Sequence, residues 1–201
     1  MPSDVKTVLL TGVGGQGTIL AGDVLARVAA ESGFDVKLSE VHGMSQRGGA
    51  VDTVVRFGEH VDSPVVDAGA VDFLVAFEVV EAARWVHFLK RDGVLLVNTT
   101  QIPSLPVLIG AVNAPTGLLP ALQSEGALLV DAENLARCAG TVRAANLVLM
   151  GALSVHLPFE ESVWRDVIAA RVPERFVDVN VHAFELGRVE GQTVAKAGEG
   201  R

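Results

Sequence analysis

The sequence predicts a three-layer α/β sandwich: a mostly parallel but mixed sheet with helices on both faces and a helical C-terminal part. The apolar, β-branched run Thr7–Thr11 ends in four glycines within six positions, Gly12, Gly14, Gly15 and Gly17, and a helical pattern follows at once. Two more apolar strands, Val71–Phe77 and Val94–Val97, flank a helical stretch, the strand–helix–strand unit of parallel sheets. From Ala132 onward the remaining pattern is helical. Together these make the predicted fold Rossmann-like.

In the first helix Ile19, Leu20, Val24, Leu25 and Val28 share one face, and Gly33 is a natural residue to follow its end. Asp35–Val41 is the second strand. A standard unit would now supply a crossover helix. Instead comes a polar, glycine-rich loop, His42–Gly49, without helical period. Val51, Thr53, Val55 and Phe57 then alternate with Asp52, Val54 and Arg56, which predicts a half-exposed strand. A short loop between neighbouring strands favours antiparallel pairing, so the sheet is expected to be mixed.

Glu81–Leu89 follows Val71–Phe77 as a helix, and Asp92-Gly93 is the turn into Val94–Val97. Thr99–Pro120 is uncharged and proline-rich, with Val107–Val112 expected as a short edge strand. Leu118–Ser124 is helical, and Ala127–Val130 is the last short parallel strand. Four helices complete the chain: Ala132–Cys138, Thr141–His156, Glu160–Arg171 and Phe176–Gly187. Residues 1–187 are expected to form a single domain, and 188–201, without apolar period, a disordered tail.

Composition narrows the function. A net charge of −8, with no basic stripe, argues against nucleic acid as a partner. The lone cysteine, Cys138, precludes an intrachain disulfide and a metal or iron–sulfur site made from this chain's own thiolates. The prolines at 103, 106, 115 and 120 interrupt the longest uncharged stretch, so no membrane span is expected. Asp4 and Lys6 precede the first apolar run, so no leader is expected and a cytoplasmic setting is. The mean hydropathy of +0.39 is high for a small soluble monomer and points to a large buried interface or a full core.

Three constellations could carry chemistry. Gly12, Gly14 and Gly17 have the G-x-G-x-x-G spacing between strand and helix, where backbone amides and the helix dipole favour an anion such as a phosphate. The alternative is a turn whose glycines only allow close packing. Gln16 within it either donates to a ligand oxygen or fixes its own turn. The second constellation is the loop carrying His42, Ser45, Gln46, Arg47, Gly48 and Gly49, at the strand end where α/β sheets bind ligands. Arg47 there clamps an anion or docks a partner protein. The third is Gly140 with Arg143 and Asn146, the last two sharing a helix face, although an interior Asn commonly bonds another backbone.

Glu40, about twenty residues beyond the glycine turn, sits where a dinucleotide-binding acid would. That leaves a free-standing nicotinamide-binding protein as one alternative, opposed by the missing crossover helix. A non-catalytic interaction module is another. No G-x-S-x-G elbow, no Walker lysine and no metal-ligand spacing among His42, His60, His87, His156 and His182 is present.

Gly12-Val13-Gly14-Gly15-Gln16-Gly17, with Glu40-Val41-His42-Gly43-Met44-Ser45-Gln46-Arg47-Gly48-Gly49, resembles the gamma-type domain of the 2-oxoacid:ferredoxin oxidoreductases. Within that family the resemblance is to the indolepyruvate branch. Asn98–Pro103, Gly140 with Arg143 and Asn146, and Asn180 with Ala183–Gly187 extend it over nearly the whole chain. The resemblance implies a non-cofactor-carrying subunit of an enzyme that oxidatively decarboxylates an aryl 2-oxoacid to an acyl-coenzyme A, passing electrons to ferredoxin. It implies a catalytic alpha subunit carrying thiamine diphosphate, magnesium and 4Fe–4S clusters. It also implies a contribution to the coenzyme A side from the glycine turn, the loop and the Arg143–Asn146 pair. A hetero-oligomer is expected, with a homodimer open for the isolated chain. No catalytic residue and no metal ligand is assigned to this chain.

Overall fold

The computed structural model describes residues 5–43 and 49–199. Six strands form one sheet in the order β2-β3-β1-β4-β5-β6. They are β1 (Lys6–Val13), β2 (Asp35–His42), β3 (Ala50–Gly58), β4 (Val71–Ala76), β5 (Leu89–Asn98) and β6 (Leu128–Val130). β1 pairs in parallel with β4, β4 with β5 and β5 with β6, whereas β3 runs antiparallel to both β1 and β2. The sheet is therefore mixed, as the short 43–49 connection demands.

Helices cover both faces. On the larger face α1 (Thr18–Glu31), α5 (Ala132–Ala139), α6 (Ala145–Ser154), α7 (Glu161–Arg171) and α8 (Val177–Glu199) enclose a core around Leu10, Leu25, Phe57, Leu149, Trp164 and Phe184. On the smaller face α2 (Val79–Trp85) and α4 (Leu118–Ser124) cover Leu9, Leu74, Leu95 and Val97. Alternate residues of β1 supply both cores, as the pleat requires. Only Ile19 leaves the expected inward face of α1: it lies in the first turn, beyond the sheet edge, and is exposed.

The structure corrects several expectations. β3 is not half-exposed. α1 covers Thr53 on the larger face, and Asp52 is buried on the opposite face near Glu81 and Arg84 of α2. Asp92-Gly93 makes no turn but lies within β5, where the register against β4 shifts between Val71 and Phe73. Gly93 is required there, because a Cβ would lie 3.0 Å from the Asp72 carbonyl oxygen. The helix expected over Glu81–Leu89 is accordingly shorter and closes in a 3-10 turn at Val86–Phe88.

The edge strand expected at Val107–Val112 is absent. A single helical turn, α3 (Leu105–Leu108), occupies the segment, with Pro106 in its first turn where proline is tolerated. Thr141–His156 divides into a 3-10 turn, Val142–Ala144, and α6. Finally α8 does not stop at Gly187, and the expected disordered tail is helical to Glu199. Gly187 is no C-terminal cap. Its bare Cα lies against the backbone of Val148 in α6, and Gly151 of α6 lies against Phe184.

Candidate functional site

The carboxyl ends of β1, β4 and β5 meet at one edge of the sheet. A hydrogen-bond lattice ties them together. Phe77, just past β4, donates its amide to the Thr11 carbonyl at 2.8 Å. Its own carbonyl accepts from Gln16 Nε2 at 2.9 Å and from Asn98 Nδ2 at 3.0 Å. Asn98 also accepts from the Ala132 amide at 3.2 Å, which fixes the start of α5. Glu78, 1% exposed, caps α2 by accepting from the amides of Val80 and Glu81 at 2.6 and 3.0 Å.

The glycine turn packs onto this lattice. The Oε1 of Gln16 accepts from the Val13 amide at 2.8 Å, so both ends of the side-chain amide bind this chain's own backbone. Of the alternatives for Gln16, the structure adopts the one that fixes its own turn. The glycines have distinct reasons. Gly15 and Gly17 have φ of +99° and +80°, in the left-handed region. A Cβ on Gly12 would lie 2.9 Å from both Gln16 Oε1 and Phe77 Cβ, and one on Gly17 would lie 2.7 Å from Asn146 Nδ2. Gly14 has no positive φ, and its amide donates to the Gly49 carbonyl at 2.9 Å, joining the turn to the 43–49 loop.

Packing therefore accounts for Gly12 and Gly17, as the bland reading of the motif had it. Beside Gly15 a Cβ would meet nothing within 4 Å among the described residues. The amides of Gly14 and Gln16 are committed to protein carbonyls. An anion would have those of Gly15, Gly17 and the first turn of α1.

The remaining predicted residues separate into two groups. Asn146, in the first turn of α6, donates to the Gly17 carbonyl at 3.3 Å. Gly140, Arg143 and Asn146 all line a cavity of about 600 Å³ whose apolar wall includes Leu20, Pro173 and Phe176. Arg143 belongs to the 3-10 turn before α6 and is exposed. The glycine turn and this helical corner are thus one neighbourhood.

Glu40 does not join them. It pairs with Thr53, which pairs with Leu10, so all of β3 separates it from β1, about 10 Å away. A dinucleotide-binding acid needs the strand next to the glycine turn. Ser45, Gln46, Arg47 and Gly48 lie outside the described residues, and of His42 only the backbone is described, paired with Val51.

A second cavity, of about 530 Å³, opens on the smaller face between Val13, Ala50, α2 and the segment from Ile102 to Leu108. Glu81 and Arg84 are its ionisable lining residues. Asp52 lies close by in β3, where its carboxylate accepts from the Thr11 hydroxyl at 2.6 Å. Burial raises the pKa of both Asp52 and Glu81 above the ordinary carboxylate range. Sequence reasoning missed Asp52, Glu78 and Glu81. Asp52 sits in an alternating pattern that reads as solvent-facing, and the only trace of Glu78 is an acid just ahead of a helix.

Among the described residues no three His, Cys, Asp or Glu side chains cluster to hold a metal ion, and Cys138 is a single exposed thiol that cannot furnish a cluster's ligand set. No helix of the described residues is long and apolar enough to cross a membrane. Fold and site together define an α/β module that presents backbone amides and loops at a sheet edge.

The chain matches the pyruvate ferredoxin/flavodoxin oxidoreductase family over residues 7–190. It is 40% identical over 187 residues to indolepyruvate oxidoreductase subunit IorB of Thermococcus kodakarensis, covering 90% of this chain and 93% of that one. The same identity and coverage hold for its counterpart in Pyrococcus horikoshii. The crystal structure of the keto/oxoacid ferredoxin oxidoreductase gamma subunit from Geobacter sulfurreducens superposes with a TM-score of 0.69 at 26% identity, covering 94% of this chain and 99% of that one. The chain belongs to this oxidoreductase family, as a subunit of the gamma type.

Proposed function

We propose that this chain is the non-cofactor-carrying subunit of an indolepyruvate, or more broadly aryl pyruvate, ferredoxin oxidoreductase. The supporting observation is the 40% identity to IorB over nearly the full length of both chains. The complex converts the 2-oxoacid and coenzyme A to acyl-coenzyme A and carbon dioxide, with electrons passed to ferredoxin. Thiamine diphosphate with magnesium, 4Fe–4S clusters and coenzyme A supply that chemistry, the first three on a catalytic alpha subunit. The α/β fold, with α8 to Glu199 included, acts as one domain of this complex, in the cytoplasm.

In this reading the chain binds and positions. The glycine turn and the His42–Gly49 loop face the coenzyme A side of the catalytic subunit. Arg143 lines the cavity at the helical corner, and Asn146 holds that corner to Gly17. Arg47 faces either the coenzyme A phosphates or the catalytic subunit.

The test is co-expression with the catalytic alpha subunit, followed by a 2-oxoacid panel with coenzyme A and a redox dye. Aryl pyruvates should give the highest kcat/KM. Preference for pyruvate or 2-oxoglutarate would overturn the substrate, and activity that survives removal of this chain would overturn its role. Arg143→Ala should raise the apparent KM for coenzyme A and leave subunit association intact. Arg47→Ala separates two roles: a raised KM for coenzyme A assigns it to the ligand, and salt-sensitive loss of association assigns it to the partner.

A further inference from the structure

The cavity on the smaller face has a chemical deficit. Three carboxyl groups lie at it or just behind it. The oxygens of Glu78 are satisfied, by the α2 amides and by the Ile102 amide at 3.0 Å. Asp52 has the Thr11 hydroxyl. Glu81 differs. It is 6% exposed, its Oε1 stands 3.5 Å from the Arg84 guanidinium, and its Oε2 is buried without a hydrogen-bond partner among the described residues. A buried carboxylate oxygen left unpaired is costly, and Glu81 lines the cavity.

The walls around Glu81 are apolar: Val13, Val80, Ile102, Leu105 and Leu108. The apolar surface does not end at the rim. Leu105, Leu108 and Ile109 are 69%, 68% and 70% exposed, and Val112 continues the strip at 55%. A small molecule filling the cavity would leave this strip in water, whereas a protein surface would cover both.

We propose that this cavity and its apolar rim dock the partner subunit through one inserted basic side chain, a lysine or arginine whose N–H groups bind the Glu81 carboxylate, which turns its unpaired oxygen toward them. This rests on the subunit reading above and adds to it the surface and its anchor. Charge complementarity selects a cation: among the described residues Glu81 feels two carboxylates, Asp52 and Glu78, and one counter-charge, Arg84. Apolar partner side chains on Leu105, Leu108 and Ile109 exclude water from the new ion pair, the arrangement in which a single anchored residue dominates binding.

The test titrates the purified catalytic subunit against the wild-type chain, Glu81→Gln and Leu108→Ser. Gln preserves the shape of Glu81, and Leu108 is exposed, so circular dichroism should confirm that both variants fold. Each should raise the Kd for the catalytic subunit at least tenfold, and Glu81→Gln should also flatten the dependence of Kd on salt. A smaller rise in either variant, or an unchanged salt slope, overturns this inference while the subunit reading stands. Failure of the wild-type chain to bind overturns both.

Discussion

Gln16 and Phe77, sixty-one positions apart, are joined by a 2.9 Å hydrogen bond from the Gln16 side-chain amide to the Phe77 carbonyl. The other end of that side chain holds the Val13 amide at 2.8 Å. One residue thus closes the glycine turn and clamps it to the end of β4.

Gln16→Ala removes both bonds. Phe77 keeps Asn98 as a donor, but the Val13 amide is left without its acceptor. Urea unfolding should show a loss of about 1–3 kcal/mol. A loss within a few tenths would mean that these bonds are not made in solution.

The two left-handed glycines of the turn should respond unequally. Gly15→Ala meets open space and carries only backbone strain, about 1–2 kcal/mol. Gly17→Ala carries that strain and also drives a Cβ into Asn146, which is buried and cannot step aside. Denaturant midpoints should fall further for Gly17→Ala; the reverse order would contradict the packing of α6 on the turn.

Gly187→Ala tests the close approach of α6 and α8. The new methyl would fall on the Val148 carbonyl, which is backbone and yields only if the helices separate. A cost of about 1–3 kcal/mol corresponds to a Tm lower by roughly 2–12 °C for a chain of this size. An unchanged Tm would mean that the helices do not cross at these glycines.

Glu81 should leave a signature in the pH dependence of stability. Burial raises its pKa above the ordinary 4.5, so the folded state binds its proton more tightly than the unfolded chain does. Its contribution is fully present below the unfolded value and is lost as pH rises through the folded value. The stability of wild type minus that of Glu81→Gln should therefore fall as pH rises above the ordinary 4.5. Glu161 works in the opposite sense. Its hydrogen bond to Arg165 lowers its pKa, so its contribution is lost as pH falls below about 4.5. A flat difference curve for Glu81→Gln would show that Glu81 is hydrated in solution.

The sequence by itself determined the layers and, apart from the edge strand expected at Val107–Val112, the strands. Strand and helix periods are local, and a short polar link between β2 and β3 leaves little choice but an antiparallel pair. It also pointed to Asn146 as a residue that bonds another backbone, although not to which one. The tertiary structure decided whatever depends on a neighbour distant in the chain. Gly187 resembles a helix stop until Val148 is placed against it, and Asp92-Gly93 resembles a turn until Asp72 is. Asp52 reads as solvent-facing because an alternating strand does not reveal that its second face is covered as well, here near α2. Glu40 has the right spacing along the chain for a dinucleotide acid and the wrong place in the sheet, because β3 is inserted between its strand and the glycine turn. Periodicity records which face of an element is buried; strand order and helix crossings, which set the chemistry of Asp52 and Glu81, arise only when distant segments compete for the same space.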